Sequence, residues 1–160
     1  MNLKEWIGKS ETISDIATAT PYAALSATLD WPADRPAIGT PLPALWHWLY
    51  FLPLHRQSEI GPDGHAKRGG FLPPVPLPRR MWAGSQFEFH KLLQVGDALT
   101  RVSTIQDVTE KSGRTGPLVF VKVRHEIRRQ NDVSQRRVHV SRYFGRSQSD
   151  VVNTNLVNQS

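Results

Sequence analysis

Leu45-Trp46-His47-Trp48-Leu49-Tyr50-Phe51-Leu52 is apolar on nearly every side. A helix of that composition has no face for water and belongs inside a fold. Pro43 can open it and Pro53 stops it. A short helix buried all round has to be enclosed by something broader, such as a curved sheet. The stretch therefore predicts a central apolar helix over 45–52, wrapped by a sheet, in an α+β fold.

The sheet is legible downstream, where the texture turns β from Arg79 onward. Trp82, Phe87 and Phe89 lead into a first strand, with Phe87 and Phe89 on one face and Glu88 and His90 on the other. Val95-Gly96-Asp97 reads as a turn and Leu99 to Val108 as a second strand. Lys111-Ser112-Gly113-Arg114 is a hairpin connection. The clearest strand runs from Leu118 to Ile127, with Val119, Val121, Val123 and Ile127 on one face and Lys122, Arg124 and Glu126 on the other. Gln130-Asn131-Asp132 is the next turn and Val133 to Val140 a fourth strand, completing an antiparallel meander. Residues 141–160 lose this pattern, so a domain over 1–140 and a weakly ordered tail over 141–160 are expected.

Upstream, Thr20 before Pro21 reads as an N-cap with proline at the first helical position. Tyr22, Leu25 and Leu29 fall at helical spacing, so a helix is expected over 21–30, ended by Trp31-Pro32. Residues 54–78 form a long loop with Gly61, Gly64, Gly69, Gly70 and five prolines from Pro62 to Pro78. Such loops are binding lids or plain connections, and both readings stay open.

Composition bounds the function. The chain has 160 residues, 39% of them hydrophobic, which suits one domain with one core. No apolar run is long enough for a bilayer, and the first ten residues carry no hydrophobic signal core, so a cytoplasmic protein without membrane association is expected. Cysteine is absent, which excludes disulfides and thiolate metal sites. The formal net charge is +6, but the basic residues are spread out, and the densest groups are the pairs Arg79-Arg80, Arg128-Arg129 and Arg136-Arg137. Such pairs suit solvated strand ends, or the pyrophosphate and 3′-phosphate of a small molecule, better than a nucleic-acid face.

Three stretches together carry a family resemblance: Gly39-Thr40-Pro41-Leu42-Pro43 running into the aromatic segment, Gly69-Gly70-Phe71-Leu72-Pro73-Pro74, and Arg79-Arg80-Met81-Trp82-Ala83-Gly84 followed by Val95-Gly96-Asp97. They resemble the N-terminal half of MaoC-type hydratases, in the group of the mesaconyl-C4-CoA (3-methylfumaryl-CoA) and itaconyl-CoA hydratases, with type 2 hydroxyacyl-thioester dehydratases as cousins. The resemblance implies a hot dog fold and reversible addition of water to an enoyl-CoA, with the acid/base pair in a histidine motif of the other half. That motif is missing here, so the chain is expected to be a substrate-binding half. It also implies an acyl-CoA thioester as partner, coenzyme A as part of the substrate rather than a cofactor, and a homodimer or a complex with a second hot dog half. From Ser141 the sequence is expected to depart from the family.

On the same basis Trp46, Trp48, Tyr50, Phe51, Met81, Trp82 and Gly84 are candidates for the acyl pocket, with Gly84 allowing close backbone approach. For the aromatic residues plain core packing is the competing reading. Arg79 and Arg80, and more distantly Lys67-Arg68, are candidates for the CoA phosphates. His47 and His65 are the histidines offered for catalysis, and His125, on an apolar strand face, is expected to be a hydrogen-bonded core histidine. Competing functions are a non-catalytic acyl-CoA-binding subunit, a basic nucleic-acid-binding module, and a hot dog thioesterase. The last would need a carboxylate against the segment 44–52, which carries none of its own.

Overall fold

Residues 2–32, 34–77, 80–113, 116–130 and 140–142 are described by the computed structural model, and structural statements concern these. Four strands, β1 (Ser10–Ile16), β2 (Ala98–Gly113), β3 (Gly116–Arg129) and β4 (Val140–Arg142), form one antiparallel sheet in the order β1-β2-β3-β4. One α-helix, α1 (Ala19–Thr28), follows β1. The α+β class and the antiparallel meander expected of a hot dog fold therefore stand.

The β2–β3 hairpin is the longest unit, running from Leu99 opposite Arg129 to Gly113 opposite Gly116. On β3 the valines 119, 121 and 123 and Ile127 are buried, the face its alternation predicts. On β2 a register shift between Ile105 and Asp107 changes the buried parity from Leu99, Ser103 and Ile105 to Val108.

The inner face carries two apolar clusters. One joins Leu99 and Ile127 to Ala17, Leu42, Trp46, Tyr50, Phe51, Leu93 and Val95, with Tyr22 and Leu25 of α1 packed against it. The other joins Ile105, Val108, Val119, Val121 and Val123 to Leu3, and Phe71, Leu72, Val75 and Leu77 of the long loop cover it. Between the two, the register places Ser103 opposite His125 on one side and opposite Glu11 on the other. His125 Nδ1 and Ser103 Oγ are 2.8 Å apart, so the histidine on this apolar face is hydrogen-bonded, as expected.

The central helix is where the expectation fails. Only Trp46–Leu49 is helical, as a single 3-10 turn, and the α-helix packed on the sheet is α1. Between Pro43 and Pro53 too few residues remain to propagate an isolated helix, and just past the turn the Phe51 amide is taken by a tertiary hydrogen bond to Asp15. Helix α1 begins at Ala19 after Thr18, not at Pro21. Ala17 exchanges backbone hydrogen bonds with Gly96 and Asp97, at 2.8 and 2.9 Å, so the chain is held up to that point and turns at once.

The first strand expected at 82–90 lies outside the four strands. Its alternation serves aromatic stacking, with Phe87 and Phe89 ring centroids 6.1 Å apart. Glu88 and His90 do pair, at 3.1 Å, on the surface. The edge strand of the sheet is instead β1, which carries Glu11, Ile13 and Asp15 on its more buried face. Two charges in three positions erase the period-2 apolar signal. β4 reaches Arg142, two residues beyond the expected boundary at 140, and the rest of the fourth-strand and tail expectations, 133–139 and 143–160, lies outside the described residues. Among the described residues, no helix is long and apolar enough to cross a membrane and no group of three or more metal-ligating side chains is assembled.

Candidate functional site

The 3-10 turn is a strained segment. Leu45 before it and Phe51 just beyond it both have left-handed backbones, at φ 71 and φ 58, a conformation that costs a non-glycine residue on the order of 1 kcal/mol or more. Three contacts hold it. The Phe51 amide donates to Asp15 Oδ2 at 2.6 Å, and the Tyr50 hydroxyl donates to the Thr18 carbonyl at 2.7 Å. Trp46 is wedged between Tyr22 and Trp31, with centroids 4.7 and 5.3 Å away. Tyr50's hydroxyl is held above its ordinary proton affinity, by burial first and by the Asp15 carboxylate second.

Held in this way, the turn presents His47 to an open groove whose walls are Leu42, Pro43, Ala44, Phe89, Leu92 and Leu93, with Lys91 at the side. His47 is 5% exposed, and its Nε2 has no hydrogen-bond partner among the described residues. Its pKa is lowered to about 4, chiefly by burial and then by the Arg101 guanidinium, so the imidazole is neutral at pH 7. Arg101 itself lies over the Phe51 ring, 5.2 Å from its centroid. A shielded nitrogen with nothing to bond is costly by about 1–3 kcal/mol, and a ligand in the groove could relieve that. The groove therefore combines largely apolar walls with a neutral imidazole that can donate or accept.

The other sequence-predicted residues divide sharply. Trp46, Tyr50 and Phe51 are core, as the competing reading had it. Trp48 is 50% exposed and packs on Phe87 at 5.7 Å, and Phe89 in turn meets His47 edge-on at 6.3 Å. These rings form an aromatic surface beside the groove. Met81 and Trp82 do not line it. Trp82 is 53% exposed, with its Nε1 donating to Ser85 at 2.9 Å. A Cβ at Gly84 would meet no other atom of the protein within 4 Å.

Arg80 turns into the long loop, pairing with Asp63 at 3.1 Å and donating to the Ala66 carbonyl at 2.8 Å. Arg68 likewise donates to the carbonyls of Val75 and Leu77. These two arginines act as staples for loop carbonyls, because a loop short of regular structure leaves acceptors that long cations can reach. Arg128 and Arg129 pair with Glu126 and Asp97. Arg79 lies outside the described residues. His65 stays in an exposed Asx turn, its amide bonded to Asp63 Oδ1 at 3.2 Å, away from His47. That amide is the main reason the Asp63 carboxyl sits below its ordinary pKa.

Sequence reasoning missed Arg101 and Asp15. Arg101 shares the parity of Leu99, Ser103 and Ile105, so its inward position was available from the strand pattern. The carboxylate that the thioesterase reading required near 44–52 does exist, as Asp15. Both of its oxygens, however, accept backbone amides, those of Ile16 and Phe51.

Residues 45–158 match the family model described as hydroxyacyl-thioester dehydratase type 2. That match includes most of the stretch from Ser141 that was expected to depart from the family. The chain is 48% identical over 122 residues to the mesaconyl-C(4)-CoA hydratase of Chloroflexus aurantiacus, covering 76% of this chain and 44% of that protein. The chain thus spans less than half the length of this curated relative. A crystal structure of a MaoC-like dehydratase from Rhodospirillum rubrum is similar at a TM-score of 0.45 and 14% identity, covering 89% of this chain and 94% of that one. With well over half of its residues inside the family model, the chain belongs to the hydroxyacyl-thioester dehydratase type 2 family.

Proposed function

We propose that this chain is the substrate-binding half of an acyl-CoA hydratase, with the acyl thioester lying in the groove beside His47. The observation that carries the reading is His47, a buried residue on the wall of a largely apolar groove whose Nε2 has no partner among the described residues. A neutral imidazole there suits a hydrogen bond to the uncharged thioester better than a proton reservoir. The relative's name supplies the reaction class, and its greater length leaves room for a second half.

The reaction adds water across the enoyl double bond. A base takes one proton from water, the oxygen bonds to the β-carbon, and an acid returns a proton to the α-carbon. In this reading both groups come from the second half, which covers the aromatic surface of Trp48, Phe87 and Phe89. Coenzyme A arrives as part of the substrate, no resident cofactor takes part, and the work is done in the cytoplasm as a dimer or hetero-complex.

The test is hydration of mesaconyl-C4-CoA and crotonyl-CoA, followed by loss of enoyl absorbance, with and without a candidate C-terminal half. Turnover that requires both halves and falls in His47→Gln supports the proposal. Turnover by the chain alone would place the acid/base pair here, and would overturn the half-enzyme reading. An inert mixture that still binds acyl-CoA would favour a non-catalytic binding subunit.

A further inference from the structure

Phe71-Leu72-Pro73-Pro74-Val75-Pro76-Leu77 is an apolar ribbon in which three of seven residues are proline. Proline has no amide to give to a ladder, so such a ribbon packs on a sheet without joining it. Phe71, Leu72, Val75 and Leu77 rest, each partly buried, on a buried floor that includes Ile105, Val108, Val121 and Val123. Within residues 69–77 the amides of Gly69 and Val75 bond inside the segment, to the carbonyls of Leu72 and Pro73. Among the described residues no backbone hydrogen bond joins the segment to the sheet. The Arg68 guanidinium braces it through the carbonyls of Val75 and Leu77. Gly69, at φ +93, and Gly70, where a Cβ would meet nothing within 4 Å, let the backbone turn freely at its entry.

A polar tie reaches the segment from the sheet. Lys9 is fixed to β2 through its backbone. Its carbonyl accepts the Ile105 amide at 2.9 Å, and the Gly8 amide before it donates to the Ile105 carbonyl at 2.8 Å. The Lys9 ammonium lies over the Trp6 ring, 5.6 Å from the centroid, and donates to the Gly70 carbonyl at 2.6 Å. That hydrogen bond is exposed, and an exposed charged tie adds little to stability. The ribbon thus rests on side-chain contact and a weak tie, while its floor is held by the long β2–β3 ladder. Segments of such unequal support open separately.

We propose that residues 69–77 form a strap that lifts from the sheet as a unit, latched by Lys9, and uncovers the aliphatic trough beneath it while the sheet stays intact. The strap works in this way whether or not the acyl-CoA reading holds.

The chain has no cysteine, so a single thiol placed under the strap reports its opening. Val121→Cys lies in the cluster beneath the strap, and Ile127→Cys, in the cluster around Trp46, is the reference. Both positions are buried, at 1% and 2% exposed. Labelling by a thiol reagent under native conditions is expected to be about tenfold faster at 121 than at 127. Adding Lys9→Gln raises the rate at 121 about threefold, the order of one exposed charged tie, and leaves 127 unchanged. Lys9→Arg, which keeps a donor, stays near the wild-type rate. Equal rates at 121 and 127 mean that the strap opens only with the sheet, and overturn the proposal. A rate at 121 indifferent to Lys9→Gln, or an equal rise at both positions, overturns the latch. Val108→Cys, in the same cluster, replaces Val121→Cys if that variant fails to fold.

Discussion

The Asp15 carboxylate accepts the Phe51 amide at 2.6 Å, tying the edge strand β1 to the strained end of the 3-10 turn across 36 residues of chain. Hydrogen bonds to charged acceptors contribute about 1.5–3 kcal/mol, enough to hold one left-handed non-glycine residue. Asp15→Ala is therefore expected to lower unfolding free energy by about 2 kcal/mol in urea titration, and Asp15→Asn, which keeps an acceptor, by less. Equal stability of Asp15→Ala and wild type would mean that the turn holds without this bond.

His47 makes stability depend on acid. Its folded pKa of about 4 lies below the ordinary histidine value of 6.5, so between those values the unfolded chain binds the proton and the folded chain does not. Stability is expected to be highest above pH 6.5 and to fall as pH drops toward 4, by about 3 kcal/mol across the window. His47→Gln, having no group to titrate, removes that slope. Urea midpoints measured from pH 4 to 7 for both proteins decide the matter, and parallel curves would contradict it.

Two glycines should respond oppositely to alanine. Gly96 has φ +92 in the turn before β2, and a Cβ there would lie 2.8 Å from Ile38 Cγ2. Gly96→Ala is expected to destabilise by about 1–3 kcal/mol. Gly84 has open space around its Cβ position, so Gly84→Ala should stay within about 0.5 kcal/mol of wild type. Thermal melts of the two variants side by side make the comparison, and a reversed order would sink it.

The arginine staples predict where the long loop opens. Arg80 joins residue 63 to residue 66 from outside the loop, and Arg68 holds the carbonyls of Val75 and Leu77. Arg80→Gln and Arg68→Gln should each raise the rate of limited proteolysis within 54–77 several-fold while leaving the hairpin of β2 and β3 intact. Mass spectrometry of the first fragments locates the cut. Cleavage first in β2 or β3 would show that the staples stabilise the whole sheet instead.

The sequence by itself determined the α+β class, the β2–β3 hairpin, the helix near 21–28 and the family. These follow from local signals: alternation of valines with charges, apolar spacing at helical period, and diagnostic runs of residues. It did not determine the fate of 45–52, the location of the edge strand, or the partners of its arginines. The first depended on Asp15, 36 positions away, which draws the Phe51 amide that a local helix would have used, and on Thr18, whose carbonyl anchors the Tyr50 hydroxyl. The second was hidden because β1 turns Glu11 and Asp15 toward its more buried face, and the Asp15 carboxylate there accepts the Ile16 and Phe51 amides. Arg80, read as a phosphate ligand, became a structural staple, while Arg101, read as part of a strand, came to lie over the Phe51 ring. Which partner each of two like side chains meets is settled by the geometry of strands and turns around them, and only the tertiary structure carries that geometry.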